Sequence, residues 1–134
     1  MDRVVSLLTQ LNNSVAEGLL GESGARAGGM SSLVLLFELE QVGALRPKQV
    51  AELLSLTTGG ATKLVDRLER QGTVTRTGAQ AGDQRAVTVR ITDEGRAIVA
   101  AARVGLVERL DDISATVAEM HAVLVQYAAN TDAP

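Results

Sequence analysis

The sequence predicts a mainly α-helical chain with one small β-hairpin. Over most of its length, apolar residues recur at intervals of three and four, which places their side chains on one face of a helix. Residues 73–77 and 86–91 are instead typical of short strands, and in the second run Val87, Val89 and Ile91 alternate with polar residues. Two glycines within residues 78–85 indicate a turn between these strands.

The composition excludes several kinds of site. The 134 residues suffice for one domain, and 46% of them are hydrophobic, so the chain can bury a core. Phe37 and Tyr127 are the only aromatic residues, so this core must be aliphatic. The absence of Cys excludes disulfides, thiolate zinc sites and thiol redox sensing. We expect no metal and no other cofactor.

The sequence also favours a cytoplasmic protein. No basic region precedes a long apolar run at the start, and Asn12 and Asn13 interrupt the first apolar segment, so we expect no signal peptide. No run approaches the roughly 18 apolar residues of a membrane span.

Residues 1–20 form the first predicted helix. Its narrow apolar seam has spacings of four, three and four: Val4, Leu8, Leu11 and Val15. This seam packs either onto its own domain or onto a second subunit, and the sequence leaves both interpretations open. Residues 21–29 are predicted to be a loop, and a core helix follows from Ser31 or Ser32, its expected caps, to about Val42.

Two short helices joined by a tight turn come next. Pro47 suits the first position of a helix, and residues 55–57 form the turn. The second of these helices begins after a Thr57 or Thr58 cap and ends at Gly72. Its apolar face consists of Ala61, Leu64, Val65 and Leu68. The arrangement is that of a helix-turn-helix, whose second helix presents the polar face that we expect to meet a ligand.

The hairpin and the last helices complete the chain. Asp83 and Arg85 lie at the far end of the predicted turn, where they form either a surface ion pair or an arginine presented to a narrow minor groove. Thr92 caps a helix that runs to about Leu110, residues 111–114 break the pattern, and Ser114 caps a last helix to about Ala129. One side of that helix carries Val117, Met120, Leu124 and Tyr127.

Charge is unevenly distributed along the chain. The net charge is −3, yet residues 46–90 contain eight basic and four acidic residues, so a basic segment lies between acidic flanks. A local positive field of this kind is a plausible footprint for nucleic acid. A solvated helix face with internal ion pairs is the alternative interpretation.

Four pieces of residues 43–97 resemble the winged-helix core of the MarR family of bacterial transcriptional regulators. They are LRPKQVA (residues 45–51), ATKLVDRLERQG (residues 61–72), DQRA (residues 83–86) and ITDEGR (residues 91–96). The flanking helices match that family in order and length only. This sequence departs from the family at Arg46, Ser55, Gly59-Gly60 and Gln84, where the family commonly has a capping Ser or Thr, a turn Gly, base-contacting side chains and the first wing arginine.

The resemblance implies a homodimer that binds DNA. The N-terminal helix (residues 1–20) and C-terminal helices (residues 93–129) would form the dimer, flanking a winged helix-turn-helix core (residues 31–92). A pseudo-palindromic operator would meet the recognition helix in its major groove and the wing near its minor groove. The implied DNA-binding residues are Thr57, Thr58, Gly59, Gly60, Thr62, Lys63, Arg67, Arg70, Arg76, Asp83 and Arg85. The implied dimerisation residues are Val4, Leu8, Leu11, Val15, Val117 and Leu124. A small-molecule effector, of no readable identity, would sit between the dimer helices and the winged lobe.

We therefore expect a dimeric, sequence-specific regulator, most simply a ligand-responsive repressor. The alternative is a winged-helix module that binds another protein and no specific DNA, an idea favoured by the overall acidity, the glycine pair and Gln84. An enzyme is not expected, because the single histidine, His121, lies two residues from Glu119 and hence on another side of its helix, and no nucleophile–base pair or metal cluster is visible.

Overall fold

A computed structural model describes residues 1–21, 26–78 and 87–131 of the chain. Within them the order of elements is α1 (Asp2–Leu20), α2 (Met30–Val42), α3 (Pro47–Leu54), α4 (Thr58–Gln71), β1 (Val74–Thr77), β2 (Thr88–Ile91), α5 (Asp93–Glu108) and α6 (Leu110–Thr131). The predicted fold class, mainly helical with a small β-wing, is confirmed. Among the described helices, none combines the length and apolarity needed to cross a bilayer.

The core lies between α2, α3, α4, the hairpin and α5. Helix α4 contributes the four residues expected from its periodicity, since Ala61, Leu64, Val65 and Leu68 are its buried residues. Helix α2 is buried on more sides than one, through Leu33, Leu35, Leu36 and Leu39. The core is aliphatic, as the composition requires, and Phe37 packs at its edge.

The two strands pair antiparallel and divide their residues between two faces. Val74 lies opposite Ile91 and Arg76 lies opposite Val89. Because Val74, Val89 and Ile91 are buried, this face is the inner one, and Arg76 shares it. Leu45 adds a single antiparallel bridge to Val89, with N–O distances of 3.0 and 2.7 Å.

Helix α1 packs mainly against α5 and α6, and its Leu19 also packs against the core cluster. Leu7 is fully buried there, and Gly18 meets Gly105 where α1 crosses α5. A Cβ on Gly105 would lie 2.2 Å from the Gly18 carbonyl oxygen, so the two backbones touch directly. The ion pair between Glu17 on α1 and Arg109, the residue that follows α5, has a distance of 3.0 Å.

Three predicted boundaries are wrong. Helix α2 begins at Met30 without a side-chain cap, because Ser32 is buried inside the helix, where its hydroxyl accepts from another side chain. Part of the expected loop at residues 21–29 is helical, at Arg26 and Ala27, and Ala27 is fully buried. Helix α6 begins at Leu110 and continues through residues 111–114, where acidic residues suit a helix N-terminus instead of breaking the helix.

Candidate nucleic-acid interface

The turn between α3 and α4 fixes the direction of α4. The Gln49 side chain accepts from the Arg46 backbone N–H at 2.8 Å, which is the bond that the third helical residue makes in a capping box. Ser55 ends α3 in the left-handed region at φ 54°, a conformation that costs a serine more than a glycine. Its neighbour Leu56 then donates its N–H to the Ala51 carbonyl at 2.9 Å.

The first turn of α4 contains two glycines, and they differ in how closely other atoms approach them. Thr57 is the cap, and its Oγ1 accepts from the Gly60 N–H at 3.0 Å. A Cβ on Gly60 would lie 3.2 Å from that same Oγ1, so the cap favours glycine there. A Cβ on Gly59 would meet no described atom within 4 Å. Packing within the described part of the chain therefore does not require glycine at position 59.

The outward face of α4 is polar and exposed. Thr57, Thr58, Gly59, Thr62 and Lys63 are all exposed, and Gly60 is half-buried. Arg70 is exposed two turns further along the same helix. The Thr62 hydroxyl donates to the Thr58 carbonyl at 3.0 Å, which leaves its oxygen free to accept. Lys63 and Arg70 make no ion pair with any residue in the described ranges.

Arg67 turns away from this face toward the start of α2. Its Nη2 donates to the Ser32 hydroxyl at 3.0 Å and to the Gly28 carbonyl at 3.2 Å. Ser32 is fully buried, so this arginine supplies the partner that its hydroxyl needs. Sequence reasoning missed this role because the contact joins residues 35 positions apart.

Arg76 is also bound within the chain. Its Nη1 lies 2.6 Å from the Asp66 carboxylate and 3.3 Å from that of Glu69, both on α4. Its backbone N–H donates to the second Glu69 oxygen at 3.0 Å. The strand alternation that buries Val74 also turns Arg76 inward, a signal that the sequence carried and that the charge count overlooked.

A model of the MarR family matches residues 30–87, from the start of α2 to the residue before β2. The helix-turn-helix core of this chain is therefore similar to that of MarR-family proteins. Proteins of that family regulate transcription and are not enzymes, and the match supports a winged-helix transcriptional regulator. A comparison with curated protein sequences finds no match.

Solved structures share the fold of this chain at low sequence identity. The YusO protein from Bacillus subtilis aligns with a TM-score of 0.63 and 22% identity, over 96% of this chain and 92% of that one. The apo form of wild-type MarR from E. coli gives 0.62 and 21%, over 96% of each chain. NadR in complex with 4-hydroxyphenylacetate gives 0.59 and 21%, over 94% of this chain and 83% of that one.

The structure describes the base of the wing. Thr77 and Thr88 close the described part of the hairpin, with their hydroxyl oxygens 2.7 Å apart. The predicted wing contacts Asp83 and Arg85, and Gln84 between them, lie outside the described residues.

The chain also has a cavity of about 250 Å³ between α1, α2 and α5. Its lining is apolar except for one carboxylate: Leu19, Leu33, Val34, Phe37, Glu38 and Leu106. Beside it, Arg103 lies 5.6 Å from the centre of the Phe37 ring and donates to Glu40 at 3.0 Å. This is the region in which the family resemblance implied an effector.

The last described helix, α6, leaves a row of apolar residues exposed. Leu110, Val117, Leu124 and Tyr127 are each 46–50% exposed. With the half-buried Ile113 and Met120 they alternate at spacings of three and four, the heptad pattern of a helix that packs on another helix. On α1, Leu8 is 50% exposed, whereas Val4, Leu11 and Val15 are half-buried.

Proposed function

We propose that this chain is a homodimeric, sequence-specific DNA-binding protein that acts as a ligand-responsive repressor. The observation that carries the proposal is the outward face of α4. At the N-terminal end of the capped helix, this face carries exposed threonines, Lys63 and the exposed Gly59. The apolar residues of the opposite face are buried. A helix supported in this way can enter the major groove as a rigid unit.

In the proposed complex, Thr58, Thr62 and Lys63 meet base edges and adjacent phosphates. Arg70 meets phosphate, which orients the protein without specifying sequence. Thr57, Gly59 and Gly60 form the N-terminal end of the helix that approaches the duplex. Arg85 reaches the minor groove from the wing, with Asp83 beside it. Arg67 and Arg76 have partners within the chain and shape this surface from its sides.

The uncovered heptad seam of α6 supports the dimer. Exposed apolar residues at regular three- and four-residue spacings are stabilised by a second helix, and the seams of α1 and α6 lie on contacting helices. We propose that a second copy covers them, through Val4, Leu8, Leu11 and Val15 on α1 and Val117 and Leu124 on α6. The two α4 helices then face half-sites about one helical turn, or about 34 Å, apart on a pseudo-palindromic operator.

The cavity between α1, α2 and α5 supports ligand response. Its apolar lining and single carboxylate match the general character of small-molecule sites. NadR, which has this fold, was solved with 4-hydroxyphenylacetate. An effector at this position would touch α1 and α2 together, and thus a dimer helix and the support of the recognition helix.

Selection of duplexes from a random pool, followed by fluorescence anisotropy at several salt concentrations, tests the proposal. We expect a palindromic site and an affinity that falls steeply with salt, with a slope of about −0.9 per neutralised phosphate. Shuffled duplexes of equal length are the control. If low salt enriches no sequence, the proposed DNA-binding function is refuted, and the α4 face is then best explained as a protein-binding surface.

A further inference from the structure

Two carboxylates lie on the face of α4 that is proposed to approach DNA. Asp66 follows Lys63 by three residues and precedes Arg70 by four, so helix geometry places it between these two cations. Glu69 follows Asp66 by three residues on an adjoining line of the same helix. Both side chains are partly open to solvent, at 49% and 43% exposure. Left unpaired, they would repel the phosphates that the neighbouring cations attract.

Arg76 contacts both of these carboxylates from the wing. Its guanidinium bridges Asp66 and Glu69, and Nη2 donates to the Thr62 carbonyl at 3.4 Å. With 22% of its side chain exposed, Arg76 is more buried than either carboxylate. The planar guanidinium suits a position with several acceptors at fixed angles, which a lysine ammonium would not match.

We propose that Arg76 is a positioning residue for DNA binding that acts by neutralising Asp66 and Glu69 and by holding the base of the wing on the recognition helix. In this role it does not donate to a phosphate. The family resemblance instead implied that Arg76 is itself a DNA-binding residue. The inference rests on the proposed DNA-binding function.

The charge balance of this surface gives the expected effect. Lys63, Arg70 and Arg76 provide three positive charges against the two carboxylates, and removal of Arg76 leaves two against two. The same change releases the β1 side of the wing from α4. We expect Arg76→Ala to weaken DNA binding about tenfold, which corresponds to about 1.4 kcal/mol.

A double-mutant cycle on the full-length protein tests this role. The duplex selected by the wild-type protein is titrated against Arg76→Ala, against Asp66→Asn with Glu69→Gln, and against the three changes combined. Each amide removes the charge and keeps one acceptor oxygen, while an NH2 donor replaces the other oxygen. We expect the amide pair to alter wild-type affinity by less than about twofold and to restore most of the roughly tenfold loss in the Arg76→Ala background.

Arg90 provides the matched control. It is exposed on β2, on the hairpin face opposite to Arg76, and lies across from Thr75. Arg90→Ala removes one positive charge, as Arg76→Ala does. Its effect on the free energy of DNA binding should add to that of the amide pair, without a coupling energy. Thermal unfolding verifies that each variant is folded, and Arg76→Gln replaces Arg76→Ala in the cycle if the alanine variant unfolds.

Equal gains from the amide pair in the wild-type and Arg76→Ala backgrounds would overturn the proposal and make Arg76 an independent phosphate contact. Unchanged affinity in Arg76→Ala would also overturn it. Wild-type protein that selects no duplex refutes the proposed function and this inference together. Wild-type binding with additive variants refutes the role of Arg76 alone.

Discussion

Replacement of Gly59 by alanine should change stability and DNA affinity in opposite directions. A Cβ at this position meets no described atom within 4 Å, so the free protein accommodates the methyl group without strain. Alanine is favoured over glycine inside a helix by about 0.5–1 kcal/mol. For a chain of this size, that gain raises Tm by about 2 to 4 °C.

In the proposed complex the same methyl group lies between the first turn of α4 and the DNA. If the backbone approaches the duplex closely there, separating the surfaces should cost about 1 to 2 kcal/mol, a factor of about 5 to 30 in Kd. Thermal unfolding measures the first effect and fluorescence anisotropy on the selected duplex measures the second. Gly60→Ala is the matched control, because its Cβ would crowd the Thr57 Oγ1 at 3.2 Å, so it should bring no gain in stability. A Gly59→Ala variant that is more stable and binds as tightly as wild type would refute the close approach.

Three further predictions concern the dimer and the packing. Val117→Asp should convert the proposed dimer to a monomer, as measured by light scattering after gel filtration. Val42→Asp changes an exposed apolar residue on α2 and should leave the dimer intact. A dimeric Val117→Asp variant would contradict the proposed interface. Gly105→Ala should lower the free energy of unfolding by about 2 kcal/mol or more in urea, because its Cβ would lie 2.2 Å from a carbonyl oxygen of α1; unchanged stability would show that α1 packs otherwise. Arg67→Ala should lower the same free energy by about 1 to 2 kcal/mol, since the buried Ser32 hydroxyl loses its partner, and the loss should shrink in a Ser32→Ala background; full additivity would exclude the contact.

The recognition helix could be predicted almost completely from the sequence. Its apolar face, a cap at Thr57 or Thr58 and its Gly72 end all follow from local rules, because periodicity and capping depend on residues within a few positions of one another. The structure selects Thr57 as the cap. The start of α2 could not be predicted in the same way. Ser32 has the residue type of a cap, but its hydroxyl is taken by an arginine from a distant helix.

The charged residues show where sequence reasoning reaches its limit. A basic residue near a recognition helix looks the same in sequence whether it faces DNA or a carboxylate. Arg67 and Arg76 have partners that only tertiary packing brings near, whereas Lys63 and Arg70 keep the exposure that their positions predicted. For Arg76 the alternation of β1 gave a usable clue, because it placed this residue on the same face as the buried Val74.

Thr92 has a mechanical consequence for the proposed dimer. Its hydroxyl donates to the Gly72 carbonyl, just past the end of α4, at 2.6 Å, and accepts from the Gly95 N–H in the first turn of α5 at 3.1 Å. Gly95 lies so close to the Thr73 carbonyl that a Cβ would be 2.4 Å from its oxygen, so little play exists at this joint. The end of α4 and the start of α5 should therefore move together as one rigid unit. In the proposed dimer, rotation of α5 relative to the second copy would rotate α4 through the same angle. A change in subunit packing would then change the distance between the two α4 helices, and with it their fit to the two half-sites of the operator.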